Sequence, residues 1–444
     1  MTATTRLGLA LGALFGWLLS FPLFGPALFG VAPGPAPQLG LLFLFSHGAG
    51  MLLLHPVPYR LATDPRLLRM AGGLLALFTL LFAFALPFPA AATLFVLMGL
   101  LAALLVLAWA PSYVAGSERI TPLAIGMAGA NLIVAMAGLP PAPFTLPLLA
   151  ALALSGAVLL PAPPPERPGA LAAPLNRAQL LALLLPMGAF ALADYFVGGL
   201  WYGTVTATFA TGWAWQPAAE ALFSAVSIAL LARLVRRPGP GILARYSLSL
   251  MGLGLVLAAT GQWVPLFRGL LLMGLVAGDL FYWAQLGTAG AIFGARRAYG
   301  GGLGLSLCLI GLANLTAGLS PGGPTGPGPT FLLAGAALLF LVLPLVYRLP
   351  VPPLPPAAEP PPEPAGQAHA AAALQSAPPN LTPTERQVYE LLVMGASDGE
   401  IADELVVTRH TVKFHVRNIL HKLGVANRKA LLSSLVVKQS EKRP

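Results

Sequence analysis

The sequence predicts an all-α protein in three parts: a twelve-span transmembrane helix bundle over residues 1–348, a Pro/Ala-rich linker over 349–379 and a four-helix domain over 380–444. Three observations carry this reading. Of the 444 residues, 57% are hydrophobic and only 9% are charged, against roughly a quarter charged in soluble domains. Apolar residues gather in runs of about 20, the length that crosses roughly 30 Å of hydrocarbon. The runs stop at Leu349, and a pattern of short amphipathic helices begins at Asn380. A soluble enzyme and a secreted disulfide scaffold are thereby excluded; the single cysteine, Cys308, cannot form an internal bridge.

The apolar runs lie at about 7–30, 38–57, 67–88, 90–110, 119–138, 144–161, 178–199, 216–235, 242–260, 265–287, 298–318 and 330–347. The first follows Arg6 but is too long for a signal peptide, so it is expected to span. Orientation follows from the arginines, because short cytoplasmic loops retain them. With the N-terminus inside, fourteen of the fifteen arginines of residues 1–348 fall on the inner side and only Arg268 on the outer. Both termini are then cytoplasmic. The outer loops carry aromatics instead, among them Trp201, Tyr202, Trp213 and Trp215, which suit an interfacial belt.

The longest inner loop, Pro161 to Arg177, divides the runs six and six. Twelve spans with both ends inside and a long central loop resemble the major facilitator superfamily, two six-helix halves around a central cavity. In that family the loop between spans 2 and 3 carries an Asp and spaced bases. Asp64, Arg66 and Arg69 fit loosely, while Pro65 and a missing glycine depart from the pattern.

Polar residues inside spans are costly in lipid and normally face the bundle interior. Asp194, Glu220, Asp279, Gln285, His47, Asn131 and Asn314 all fall in spans that line the cavity in the family's arrangement. Counting from the loops places Asp194, Glu220 and Arg268 in the outer half, near Trp201, Trp215 and Trp263, either as a ligand pocket open to the outside or as helix-end residues with Arg268 extending to the headgroups. Asp279 lies deeper, roughly 20 Å from the outer boundary at 1.5 Å per residue, beside Tyr282 and Trp283. His47 reads as a hydrogen-bonded packing residue or a proton relay. Asp279, Asp194, Glu220, Arg268, His47 and Trp283 are thus the candidate ligand residues. No nucleophile with a base, no phosphate loop and no metal-ligand spacing occurs, so no enzyme, cofactor or metal site is expected.

Residues 349–379 hold eleven prolines and the tract His369 to Leu374. At about 3.1 Å per residue such a tether reaches on the order of 90 Å.

Helix punctuation resumes with Thr382, followed by Pro383 and, three residues after the Thr, Glu385: a capping box. Ser397 with Glu400 repeats it, Thr408 caps a third helix running to about Leu423, and a fourth starts near Asn427. A tight turn between the second and third describes a helix-turn-helix. On the third, Val412, Val416, Ile419 and Leu423 form the packing stripe. His410, Phe414, Arg417 and His421 lie opposite, flanked by Lys413. Lysine and arginine there can donate to guanine, and an apolar group can meet the thymine methyl.

This stretch resembles the LuxR-type DNA-binding domain through Leu381 to Arg386, Glu400-Ile401-Ala402, Thr411-Val412-Lys413, His415-Val416, Lys422 to Val425 and Asn427-Arg428. Gly399 departs, where the family usually has lysine. The resemblance implies that Lys413, Phe414 and Arg417 read bases and that Thr411 and Arg428 contact phosphate, with His410 on the same face. Residues 380–444 carry a net charge of only +3, the linker −2 and residues 1–348 +9. Weak phosphate attraction for one copy makes a homodimer on a two-fold site the expected binding form. Together the two resemblances imply an inner-membrane, one-component transcription regulator whose bundle senses a small molecule and whose tethered domain binds promoter DNA. A secondary transporter with a regulatory DNA-binding tail is the alternative.

Overall fold

A computed structural model describes residues 2–116, 118–139, 145–161, 185, 187–197, 216–235, 241–261, 264–318, 328–347, 381–393, 398, 401–402, 405, 408–425 and 431. The chain divides into two compact units, Met1–Val351 and Pro352–Pro444.

Among its described residues the first unit consists of helices joined by turns and irregular segments, with no strand. In chain order it contains α1 (Ala3–Ser20), α2 (Pro26–Val31), α3 (Ala36–Leu54), α4 (Tyr59–Ala62), α5 (Pro65–Leu81), α6 (Phe88–Ala115), α7 (Ile120–Ala137) and α8 (Thr145–Val158). Then come α9 (Met187–Val197) and α10 (Gln216–Leu234), α11 (Gly241–Ala259), α12 (Val264–Phe293), α13 (Ala295–Gly318) and α14 (Pro329–Tyr347). Each of the twelve apolar runs contains a helix. Among the described residues eight of these, α1, α3, α6, α7, α10, α11, α12 and α13, are long and apolar enough to cross a membrane.

Several boundaries differ from the sequence reading. The first apolar run is broken into α1 and α2: Pro22 and Pro26 interrupt the backbone ladder, and Phe24 sits at a positive φ of 52°. Hydropathy does not register a bend between two apolar helices. In the opposite sense, α6 and α12 run on past the apolar runs that predict them, to Ala115 and Phe293. At 1.5 Å per residue the 30 residues of α12 measure about 45 Å, more than the hydrocarbon thickness.

α5 packs on α8, and α11 on α12 and α14. The first eight helices meet the last six chiefly where α3 packs on α13 and α7 on α10. Close approach is made possible by small residues, the usual means of helix association in lipid. Gly12 of α1 faces Gly126 of α7 so closely that a Cβ on Gly12 would lie 3.1 Å from the Gly126 carbonyl oxygen. Gly48 of α3 stands in the same relation to the Gly304 carbonyl of α13, also at 3.1 Å.

An aromatic cluster joins the two groups of helices. Trp109 and Tyr113 of α6 stack at 4.6 Å, and Trp109 meets Trp283 of α12 at 5.8 Å and Tyr299 of α13 at 5.9 Å, both edge-on. Phe15 of α1 closes on Trp283 at 5.0 Å. The polar atoms of these rings are satisfied locally: Trp109 Nε1 donates to the Leu7 carbonyl at 3.1 Å and Tyr299 donates to the Trp283 carbonyl at 2.7 Å.

The glycine contacts give a first prediction. Gly12→Val forces α1 from α7 and is expected to cost about 1–3 kcal/mol, read as a lower thermal midpoint of the detergent-solubilised protein. Gly73→Ala, where a Cβ meets nothing within 4 Å, should leave the midpoint unchanged or raised. Equal midpoints for the two variants would refute the assignment of Gly12 to the α1–α7 contact.

Candidate functional site

Two sets of residues carry polar chemistry, one in each unit. In the bundle the structure rearranges the six sequence candidates. Glu220 of α10 and Arg268 of α12 pair with each other, Arg268 Nε donating to Glu220 Oε1 at 2.5 Å, and Gln216 Nε2 donates to the same oxygen at 3.0 Å. The two charges offset one another in a largely buried pair. Arg268, at 8% exposure, does not extend outward to headgroups.

Asp194 does not join them. Its Oδ1 accepts from Ser247 of α11 at 2.5 Å, and its carboxylate lies against Gly278, where a Cβ would fall 2.8 Å from Asp194 Cγ. The neighbouring Asp279 accepts from Tyr195 of α9 at 3.2 Å. Asp194 therefore belongs with Asp279, and the outer-half grouping with Glu220 and Arg268 is corrected. Counting from a loop gives depth along one helix, but the neighbours of a side chain depend on where that helix crosses others.

Asp194 is buried at 1% exposure and its Oδ2 has no hydrogen-bond partner among the described residues. Asp279 is half-buried, so it presents surface where Asp194 does not. Trp283, one turn beyond Asp279, is 4% exposed and packed into the aromatic cluster, so it is a structural residue there and not a pocket wall. His47 is likewise held by packing: its Nδ1 is 3.0 Å from the Gly99 carbonyl and its ring stacks on Phe43 at 5.4 Å. Trp201, Tyr202, Trp213, Trp215, Trp263 and the linker lie outside the described residues. So does Arg428.

Sequence reasoning missed Tyr195 and Ser247. A tyrosine and a serine in apolar runs are unremarkable there, and only the crossing of α9 with α11 and α12 makes them partners of the two carboxyls.

In the C-terminal unit the described helices are Pro383–Val393 and Arg409–Lys422. The second and fourth helices expected from the sequence fall mainly outside the described residues, although Ile401, Ala402 and Leu431 are helical and share the core with Val388, Leu392, Val412 and Ile419. Thr382 and Glu385 form the reciprocal cap: Thr382 N–H donates to Glu385 Oε2 at 2.8 Å and Glu385 N–H to Thr382 Oγ1 at 3.3 Å. Thr408 caps the second helix by accepting from Thr411 N–H at 3.2 Å.

Val412 and Ile419 are fully buried, while His410, Lys413, Phe414, Arg417 and His421 are exposed along one face. Phe414 is 49% exposed, with the Arg417 guanidinium 5.7 Å above its ring. A bare phenylalanine braced by an arginine is costly in water and suited to an apolar base edge. Thr411 is half-buried, its hydroxyl 2.9 Å from that of Thr408 at the cap.

Residues 379–435 match the family of bacterial regulatory proteins, luxR family. The spore germination protein GerE of Bacillus subtilis (strain 168) is 43% identical over 58 residues, covering 13% of this chain and 78% of that protein. The chain belongs to the luxR family of bacterial regulatory proteins. Membership places a DNA-binding helix-turn-helix at its C-terminal end, within which the 409–422 helix presents the exposed face described above.

The remainder of this luxR-family chain has a transporter fold. The human organic anion transporter MFSD10 (TETRAN) is similar with a TM-score of 0.52 at 16% identity, covering 77% of this chain and 98% of that one. The Escherichia coli fucose:proton symporter FucP (N162A) has a TM-score of 0.50 at 14% identity, with 78% and 97% covered. A bacterial homologue of the iron transporter ferroportin in its outward-facing state matches at 0.50 and 17%, with 79% and 99% covered. At these identities the likeness is one of fold: a multi-pass bundle of the major facilitator kind.

One contact in the luxR domain was not legible in advance. Lys422, at the end of the recognition helix, donates to Glu385 Oε2 at 2.6 Å. The Lys422 hydrogen bond, followed by the Thr382 N–H, holds the Glu385 carboxyl down to about 2 from its ordinary 4.5. A carboxyl lowered on folding adds stability that is complete above its unfolded value and is lost as pH falls toward its folded value. Stability of the luxR domain, followed by circular dichroism during urea unfolding, should therefore decline between about pH 4.5 and about pH 2. Glu385→Gln should be less stable at neutral pH and show a flatter acid limb; an unchanged limb would show that Glu385 is not the group responsible.

Proposed function

We propose that the chain is a one-component transcription regulator of the bacterial inner membrane, in which a twelve-span bundle with both termini cytoplasmic senses a small molecule and the luxR domain binds promoter DNA. The observation that carries this is the presence, in one chain, of a luxR recognition face and a bundle whose fold matches solute transporters. Three features support the sensing half: a half-buried carboxyl at Asp279, a buried one nearby at Asp194, and small-residue helix contacts. The arginine distribution supports cytoplasmic termini, which puts the DNA-binding domain where DNA is.

The net charge of +3 over residues 380–444 supports binding as a homodimer, because each phosphate contact adds modest attraction and two half-sites double it. Lys413 and Arg417 are read as base contacts, Phe414 as an apolar contact to a base edge, and His410, Thr411 and Arg428 as flanking or phosphate contacts.

The match to GerE spans most of that protein, so the domain is suited to study alone. A fragment of residues 377–444, dimerised through a fused coiled coil, should prefer its own promoter over unrelated DNA in a fluorescence anisotropy titration. Lys413→Ala and Arg417→Ala should each weaken the specific complex by about 1–3 kcal/mol, with much smaller effects on unrelated DNA. Loss of affinity that is uniform across sequences would make them phosphate contacts, and no preference in the wild-type fragment would remove the DNA-reading proposal.

The second reading, a transporter with a regulatory tail, is favoured by the solved structures, which are named for transport of organic anions and of fucose with protons. It expects the protein in proteoliposomes to accumulate solute above empty vesicles; uptake equal to empty vesicles across candidate solutes supports a sensor.

A further inference from the structure

We propose that Phe414 and Arg417 act as one unit that reads a two-base-pair step of DNA: a pyrimidine bearing a C5 methyl, thymine or 5-methylcytosine, on the base pair next to a guanine. The inference deepens the DNA-reading proposal and rests on it. The two side chains stand three residues apart on the 409–422 helix, which places them about 60° apart around its axis and about 4.5 Å apart along it. They touch: the Arg417 guanidinium lies 5.7 Å from the centre of the Phe414 ring. Half-buried His415 meets the same ring edge-on at 5.8 Å.

Phe414 is thus held on two sides and still 49% exposed. Among the described residues of the C-terminal unit it is the only large apolar side chain left exposed. The core of that unit, with Val388, Leu392, Val412 and Ile419, is built without it, so packing does not call for a phenylalanine here. The rest of the exposed face, His410, Lys413 and His421, is polar. An apolar contact made by this face therefore falls to Phe414.

Each half of the unit has one complement in a major groove. The thymine methyl is the apolar group presented there, and cytosine carries the same group in the same place once it is methylated at C5. Guanine presents O6 and N7, a pair of acceptors that fits a guanidinium fork. The contact with the ring face uses the charge of Arg417, and no carboxylate among the described residues pairs with it, so its N–H donors are available to guanine. Thymine and guanine never share a base pair. The two complements then lie on different pairs, and the contact between the side chains makes those pairs neighbours, about 3.4 Å apart along the duplex. Holding Arg417 against the ring before DNA arrives removes part of the freedom that an arginine loses on binding. Loss of Phe414 should therefore weaken recognition at both base pairs, which independent contacts would not do.

The test uses the detergent-solubilised full-length protein. Sites are selected from a pool of duplexes with a randomised centre, and affinity for the enriched site is measured by fluorescence anisotropy. That site is expected to contain a thymine beside a guanine. Replacing this thymine by uracil removes only the methyl and should weaken binding about fourfold, the effect of one methyl withdrawn from contact. A cytosine placed there should gain about the same factor when methylated at C5. Replacing the guanine by 7-deazaguanine removes N7 and should weaken wild-type binding about tenfold. In Phe414→Ala both methyl effects should vanish and the 7-deazaguanine effect should shrink. Should that variant not fold, Phe414→Leu, apolar but without a ring face, is expected to keep the methyl effect and show the smaller 7-deazaguanine effect. Equal wild-type affinity for the thymine and uracil duplexes overturns the proposal, as does a methyl effect undiminished in Phe414→Ala or an enriched site with no thymine beside a guanine. A pool from which nothing is enriched refutes DNA reading by this chain altogether, whereas enrichment without a methyl effect refutes only the coupled unit.

Discussion

The bundle depends on what is done with the carbonyls at its helix ends. The last turn of a helix leaves four of them without intrahelical donors, to be met by side chains or by water. Three helices solve this with an arginine taken from elsewhere. Arg6 donates to the Leu159 carbonyl at 3.0 Å and the Leu160 carbonyl at 3.4 Å, just past α8. Arg119 donates to the Tyr113 carbonyl in the last turn of α6 at 2.6 Å. Arg296, at the start of α13, reaches the Leu54 carbonyl at 2.6 Å and that of Val57, past the end of α3. A cation at a helix C-terminus also meets the negative end of the macrodipole. In the twelve-span reading α3, α6 and α8 are the second, fourth and sixth spans, whose C-termini all lie on the arginine-rich side. The arginines that set the orientation in that reading therefore also terminate helices, and Arg296 does so across the junction between the first eight helices and the last six.

That junction explains why the aromatic cluster is where it is. Arg296 and the close contact of α13 with α3 bring Tyr299 beside α6, where Trp109 and Tyr113 are waiting. Gly287 of α12 approaches Tyr113 and Arg119 so closely that a Cβ there would lie 3.3 Å from Arg119 Cδ. Large rings and bare glycines alternate along this seam because a ring from one helix needs the absence of a side chain on the other. Trp283 is drawn into the seam and so is unavailable to a ligand, while Asp279, one turn away on the same helix, faces Tyr195.

The contrast shows what a sequence can and cannot report. Local periodicity was enough for the 409–422 helix, because a helix on a small soluble core has one dry face and one wet face, and Val412 and Ile419 against Lys413 and Arg417 describe both. It was enough for the existence of apolar helices, because lipid imposes length. It was not enough for the break at Phe24, since both sides of the bend are equally apolar, nor for the partners of Asp194, Arg296 and Lys422. Those partners are 53, 239 and 37 residues away in the chain. In a bundle where nearly every residue is apolar, hydrophobic pattern loses its directional content, and polar residues show that a helix has an inner face without showing which inner faces meet.

The three carboxyls of the last six helices illustrate the resulting division of labour. Glu220 is matched by Arg268, so the pair carries no net charge. Among the described residues the partners of Asp194 and Asp279 are hydroxyls, those of Ser247 and Tyr195, which orient a carboxyl without offsetting a charge. Any movement of α9, α11 or α12 that alters the approach of Asp194 to Gly278 changes the surroundings of a buried carboxyl and so its energy. A ligand can bias a conformational equilibrium only through a difference in affinity. In this bundle the strongest available difference is electrostatic, because moving an unpaired carboxylate between a dry and a wet environment outweighs the gain or loss of a few apolar contacts. The residues that keep the bundle together and the residues able to make it respond are therefore separate sets: arginines, glycines and aromatic rings at the seam, and behind it two aspartates whose partners among the described residues are neutral hydroxyls.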